Sequence, residues 1–283
     1  MRIAQQTIAT LVVLTFIISP AMAVLKTVAN PSNSQFGFEG VSPGTDVFSL
    51  GGPQWTQLRM NGAVQTGDGA GGDAAGGSQS AMITQNGTSS NGRFNLNASP
   101  RLEPAHTGRF SFAFQMPTGN NDFELDVTLD SQSPDTFRAV WLSIDNGALR
   151  TRDAANGNAV SVVGNFNSDQ WYEVLFEKPA WTDGNVGQPF TVSLYDSTDG
   201  SLVGSVNETL GKDINGGNLS NWQFAFPNVS GNYLKLDHVN FLFDDAGNAL
   251  PGFTPLGFRN IPEPATVSLL GFSGIALLRR RRA

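Results

Sequence analysis

Strict two-residue alternation of apolar and polar side chains is the feature that most constrains this chain. Phe110, Phe112, Phe114 and Met116 share one parity, and Phe123, Leu125, Val127 and Leu129 alternate with Glu124, Asp126, Thr128 and Asp130. Tyr172, Val174 and Phe176 repeat the pattern, as do Phe190, Val192 and Leu194, and then Val239, Phe241 and Phe243. Successive side chains of an extended strand point to opposite faces, so these segments are strands with one face buried. Turn sequences separate them at residues 118–121 (TGNN), at residues 145–147 (DNG) and at Asp199 and Gly200. No stretch carries a convincing amphipathic helical period. Residues 36–244 are therefore expected to form an all-β, two-sheet antiparallel sandwich of jelly-roll type, with about a dozen strands. Phe112, Phe114, Leu125, Val127, Val174, Phe176, Val192 and Phe241 should lie inside it. A slip of one residue would bury Glu124 and Asp126 without partners, at roughly several kcal/mol each.

The composition agrees with many short strands and turns: 32 glycines, and charged residues at only 14%. With no cysteine, disulfides and thiolate metal sites are excluded. Of 17 basic residues, five (Arg2, Arg279, Arg280, Arg281 and Arg282) sit at the ends. Setting them aside leaves 12 against 24 acidic residues, so the rest of the chain carries about −12 and is expected to repel nucleic acid. Residues 24–35 form a polar lead-in. The glycine-rich stretch 67–77 reads as a loop. Residues 245–260, with Pro251 and Pro255 and no alternation, read as a linker tethering the domain to the C-terminal segment.

Both ends carry processing signals. Arg2 precedes an uncharged apolar stretch, Pro20 breaks it, and Ala21, Met22 and Ala23 give the small-x-small pattern of a secretory signal peptide, 1–23, cut after Ala23 by signal peptidase. At the other end, Pro262, Glu263 and Pro264 precede an apolar run, 265–278, and then Arg279, Arg280, Arg281 and Arg282. As a short hydrophobic helix this run would rise about 21 Å, less than the ~30 Å hydrocarbon core, and the arginines would hold its end in the cytoplasm. The physics gives a weak stop-transfer anchor with the body outside.

In order and position, the parts of segment 261–283 resemble the PEP-CTERM sorting signal. That resemblance implies export, recognition of the tail by an exosortase (a membrane-embedded processing protease), cutting near Pro262 to Pro264, and delivery alongside exopolysaccharide. The body resembles the concanavalin A-like sandwiches, a group with laminin-G-like modules, legume-type lectins and polysaccharide hydrolases. The residues carrying this are Trp171, Tyr172, Glu173 and Val174 leading a strand, residues 190–196 before the Asp199–Gly200 turn, and the closing strand 234–243.

Enzymatic chemistry finds little support. His106 and His238 lie far apart without metal-ligand spacing, and no serine stands in a GxSxG elbow. Glu124 and Asp126 resemble the first two carboxylates of the laminarinase-type glycoside hydrolase strand. The third position of that pattern falls on Thr128 or Leu129, which have no carboxylate. Asp130 would lie about 20 Å from Glu124 along the strand, against about 5 Å for a retaining pair.

Binding candidates are the tryptophans that fall off the core parity, Trp141 and Trp171, together with Trp181 in a loop; flat rings of this kind stack on sugars. Asp145, Asn146, Asp153 and Asn156, or else Asp244 and Asp245, are candidate Ca²⁺ ligands, which ordinary polar turns would also explain. The sequence-based expectation is an exported, non-enzymatic protein of the cell surface or extracellular matrix. Its role would be structural or adhesive, with weak polysaccharide contact. A polysaccharide-degrading hydrolase on the same fold is the alternative.

Overall fold

A computed structural model describes residues 25–29, 42–46, 55–58, 60–66, 79–85, 92–116, 123–129, 138–145, 147–153, 158–214, 219–226 and 233–256. The signal segment 1–23, the glycine-rich stretch 67–77 and the sorting tail 261–283 with its expected short helix lie outside them.

Every element among the described residues is a strand, as the alternation requires. One sheet contains β1 (Leu25–Ala29), β3 (Met60–Thr66), β4 (Gln79–Gln85), β6 (Thr107–Gln115), β11 (Tyr172–Lys178), β12 (Pro189–Asp196), β13 (Leu202–Thr209) and β15 (Tyr233–Asp244). The other contains β2 (Trp55–Leu58), β5 (Gly92–Leu102), β7 (Phe123–Leu129), β8 (Arg138–Asp145), β9 (Ala148–Arg152), β10 (Ala159–Asn165) and β14 (Leu219–Phe226). The eight-stranded sheet runs β13-β12-β11-β6-β15-β4-β3, with β1 also pairing β15; the seven-stranded sheet runs β10-β9-β8-β7-β14-β5-β2. All pairings are antiparallel. Consecutive antiparallel strands pair from β3 to β4, from β7 to β10 and from β11 to β13, and the chain otherwise crosses between the sheets. This is the expected antiparallel sandwich.

The core lies between the two inner faces. Phe112 of β6 meets Phe224 of β14 edge-on, ring centroids 5.1 Å apart, joining the sheets. Phe112, Phe114, Val174, Phe176, Val192 and Phe241 are all buried. Leu125 and Val127 stand in register with Leu142 and Val140, which are buried themselves. The turn glycines Gly147 and Gly200 take positive φ, 74° and 75°, a conformation open to glycine at no steric cost.

Three features depart from simple alternation. β15 carries a bulge between Asp237 and Asn240, with His238 at φ 48°. The bulge resets parity, so that even-numbered Leu234 and Leu236 and odd-numbered Phe241 and Phe243 all face inward. The polar lead-in supplies a strand: β1 pairs the second half of β15, from Leu25 opposite Asp244 to Ala29 opposite Asn240. The expected tether, over its described part, is packed against the domain, with Pro255 and Leu256 buried.

At one side the edges of the sheets touch. A Cβ added to Gly204 of β13 would come within 1.8 Å of the Val163 carbonyl oxygen on β10, so only glycine permits this approach.

Candidate functional site

Part of the outer face of the eight-stranded sheet, over β6, β11 and β12, is covered by the chain's own C-terminal strap, residues 245–256. Asp244, buried at the end of β15, starts it: its Oδ1 accepts the main-chain N–H groups of Ala246 and Asn248 at 2.8 and 3.2 Å. Arg109 of β6 then donates through Nη2 to the Pro251 carbonyl at 2.8 Å, and through Nε and Nη2 to Glu177 Oε1 at 2.8 and 2.7 Å. Phe253 lies 5.4 Å from the Arg109 guanidinium and 5.5 Å from the Tyr195 ring. Finally Leu256 buries itself against Ala113 and Trp171, and its N–H donates to Glu173 Oε2 at 2.9 Å. A buried carboxylate needs such a donor, since stripping its water uncompensated is costly.

Two of the three tryptophans proposed from the sequence as ligand platforms are buried. Trp171 is 3% exposed because the strap covers it. Trp181 is equally buried; its Nε1 donates to the Pro189 carbonyl at 2.7 Å and its ring carries the Lys178 ammonium 4.2 Å from the centroid. Lys178 Nζ is caged by the carbonyls of Pro104, His106 and Pro179. Burial pushes this ammonium down to about 7, while the three carbonyls and the indole face favour its charged form.

Neither histidine forms a catalytic arrangement with a nucleophile among the described residues. His106 stacks on Phe243 at 5.4 Å, and its Nδ1 accepts the Glu103 N–H at 3.1 Å. His238 is buried in the β15 bulge beside Asp237.

Trp141 differs. It projects from β8 on the outer face of the seven-stranded sheet and is only half-buried. The register sets a continuous row across that face: Thr56, Asn95, Gln223, Asp126, Trp141 and Arg152. Arg152 holds its guanidinium 5.4 Å from the Trp141 ring centre and donates through Nε to Ser143 Oγ at 2.7 Å. Of that row, Trp141 and Arg152 are half-buried, and Gln223 is buried. Glu124 and Asp126 stand on the same face of β7. Their directly opposed neighbours are Ser143 and Trp141 on β8, and Ala225 and Gln223 on β14, none of them a carboxylate, while Asp145 stands two positions beyond Ser143 on β8.

Beside Arg152 the sheets part to form a cleft of about 400 Å³, lined on the seven-stranded side by Thr151, Arg152 and Asp153 and on the other by Phe190, Glu208 and Leu210. Thr151 Oγ1 donates to Glu208 Oε1 at 3.1 Å, bridging the two sheets. Nothing in the sequence placed Arg152 or Glu208 together; their strands meet only through the tertiary contact of two sheet edges.

Of the candidate calcium ligands, Asn146 and Asn156 lie outside the described residues. Asp153 lines the cleft, and Asp145 ends β8. Asp244 is committed to the strap turn. Among the described residues no group of three or more His, Asp or Glu could hold a metal ion.

The PEP-CTERM protein-sorting motif matches residues 260–282, immediately beyond the strap. It marks the chain as exported. No curated protein matches the chain in sequence. Similar solved structures include a protein of unknown function from Shewanella oneidensis MR-1, at 16% identity and TM-score 0.46, covering 70% of this chain and 82% of that one. A peanut lectin aligns at 12% identity and TM-score 0.44, covering 68% and 92%. An endo-β-1,4-glucuronan lyase from the fungus Trichoderma reesei aligns at 13% identity and TM-score 0.42, covering 66% and 89%.

Proposed function

We propose that this exported sandwich is a non-enzymatic protein of the cell surface or extracellular matrix, structural or adhesive in role, which contacts polysaccharide weakly through the outer face of its seven-stranded sheet. The observation that carries this reading is the half-buried Trp141 ring beside Arg152 on the outer face of the seven-stranded sheet, while the strap covers part of the opposite outer face. Signal peptidase and an exosortase are the processing partners, and the tail anchors the precursor in the membrane only transiently.

Stacking one sugar ring on one indole adds about 1 kcal/mol beyond the burial of the ring face, by analogy with aromatic pairs, so each site binds weakly, at the millimolar end or beyond. Retention then comes from many copies displayed on one surface. With about −12 on the chain outside its basic ends, anionic polysaccharide is repelled unless Ca²⁺ bridges it.

Titration of a glycan panel, with and without chelator, tests the reading. Wild type should bind at least one glycan weakly, and Trp141→Ala should weaken that binding about fivefold or more in a folded protein. The competing hydrolase reading draws on Glu124 and Asp126 of β7. Reproducible reducing-end release from soluble β-glucans, lost in Glu124→Gln, would establish it instead.

A further inference from the structure

We propose that the cleft between β9 and β13 takes one or two hexose residues of a neutral polysaccharide, continuous with the Trp141 surface. This rests on the polysaccharide-contact reading and specifies its ligand class.

The cleft is preformed. The Thr151–Glu208 hydrogen bond ties its two walls together at 3.1 Å. Its rim at residues 186–188 is fixed to the far wall: Gly187 N donates to the Leu210 carbonyl and Leu210 N to the Gln188 carbonyl, each at 2.9 Å. Val186 N donates to Asp213 Oδ1 at 2.6 Å. At about 400 Å³ it falls within the range of small-molecule sites, roughly 300–1,000 Å³.

Its lining selects the ligand. Val140, Phe190 and Leu210 are buried beneath it, and Val160 and Val186, more than half exposed, supply the apolar surface at its mouth. Arg152, Asp153 and Glu208 add one positive and two negative charges. A purely apolar ligand would strip water from these groups without replacing it. An anionic sugar would meet two carboxylates on an already acidic protein. A neutral hexose suits both surfaces: its hydroxyls donate to carboxylates and accept from a guanidinium, and its C–H face packs on the exposed valines at the mouth. Arg152 belongs to both regions, since it lines the cleft and sits 5.4 Å from the Trp141 ring. A chain entering the cleft therefore passes the guanidinium on its way to the indole.

The experiment titrates the exported protein with short neutral gluco-, manno- and galacto-oligosaccharides and with matched uronate oligosaccharides. Wild type is compared with Glu208→Gln, which keeps an acceptor for Thr151, with Val160→Lys at the exposed mouth, and with Trp141→Ala. Neutral oligosaccharides should bind better than uronates, and Glu208→Gln and Val160→Lys should each weaken them about five- to tenfold at unchanged thermal midpoint. If Trp141→Ala weakens binding while both cleft variants bind like wild type, the cleft assignment is overturned and the surface reading stands. Preferential binding of uronates also overturns it. If wild type binds no glycan, the surface reading itself falls and takes the cleft with it.

Discussion

The main-chain N–H of Leu256 donates to the Glu173 carboxylate at 2.9 Å across 83 residues of sequence, and this bond sits under a side chain that is 1% exposed. It fastens the end of the strap four residues before the matched sorting motif begins at residue 260. Leu256→Ala removes most of the apolar contact with Trp171 and Ala113, at a cost of about 2 kcal/mol or more. Limited proteolysis of the exported protein should then cut within residues 245–256 much faster than in wild type, and tryptophan emission should shift to the red as Trp171 meets water. Unchanged cleavage and emission would mean that the strap is held elsewhere.

The contact between sheet edges makes a sharp prediction about two glycines. At Gly204 an added Cβ would sit 1.8 Å from the Val163 carbonyl oxygen, whereas at Gly252 it would meet nothing within 4 Å. Gly204→Ala must push β13 away from β10 and should cost about 2–4 kcal/mol, at the severe end for single substitutions. Gly252→Ala should change stability by less than about 0.5 kcal/mol. Chemical denaturation of the two variants against wild type decides this.

Lys178 gives stability a pH dependence whose sign follows from its shift. Burial holds its folded value at about 7, against an ordinary value of 10.5. Between those values the unfolded chain keeps a proton that the folded chain has begun to release, so stability should rise with pH, by at most about 1.4 kcal/mol per unit. Near pH 10 the rise should end. Burial raises Tyr172 and Tyr195 above their ordinary 10.0, so the unfolded chain ionises first and stability falls. Lys178→Met should flatten the rise between about pH 7 and pH 10 while leaving the fall above it. A wild-type curve that is level or descending across that window would contradict the assignment.

Much of the sandwich was legible because β6, β11 and β12 keep strict parity, and Phe112, Val174 and Val192 are buried as that parity demands. Parity alone could not show the bulge at His238, where two in-phase halves of β15 are joined by an extra residue. Nor could it find the strap: Pro251, Gly252 and Pro255 are the residues of a linker, and Leu256 is buried only because β6 and β11 leave a shallow apolar spot around Ala113. Trp171 misled for the same reason, since it does leave the core parity and is then covered from 85 residues downstream. The cleft was invisible to local reading, because Arg152 and Glu208 belong to different sheets and meet only where two edges converge.

Processing at both ends should leave a chain whose termini the fold can hold. Cleavage after Ala23 would leave only Val24 ahead of β1, which begins at Leu25 and pairs the second half of β15. Leu25 stands opposite Asp244, the residue that starts the strap, so the new N-terminus and the strap's origin lie side by side. The bulky signal segment is then removed from the edge of a pairing that the mature protein uses. At the other end, cutting near Pro262 to Pro264 leaves the strap intact through Leu256 and discards the apolar run and arginine cluster. Intact-mass measurement of exported protein should therefore give a chain starting at Val24 and lacking Arg279 to Arg282. Deleting residues 24–29 after signal cleavage should lower the thermal midpoint, because β15 loses a neighbour along half its length. Exported protein that retains both Met1 and Ala283 would refute the processing scheme, and an unchanged midpoint on deletion would show that β1 adds nothing to the folded body.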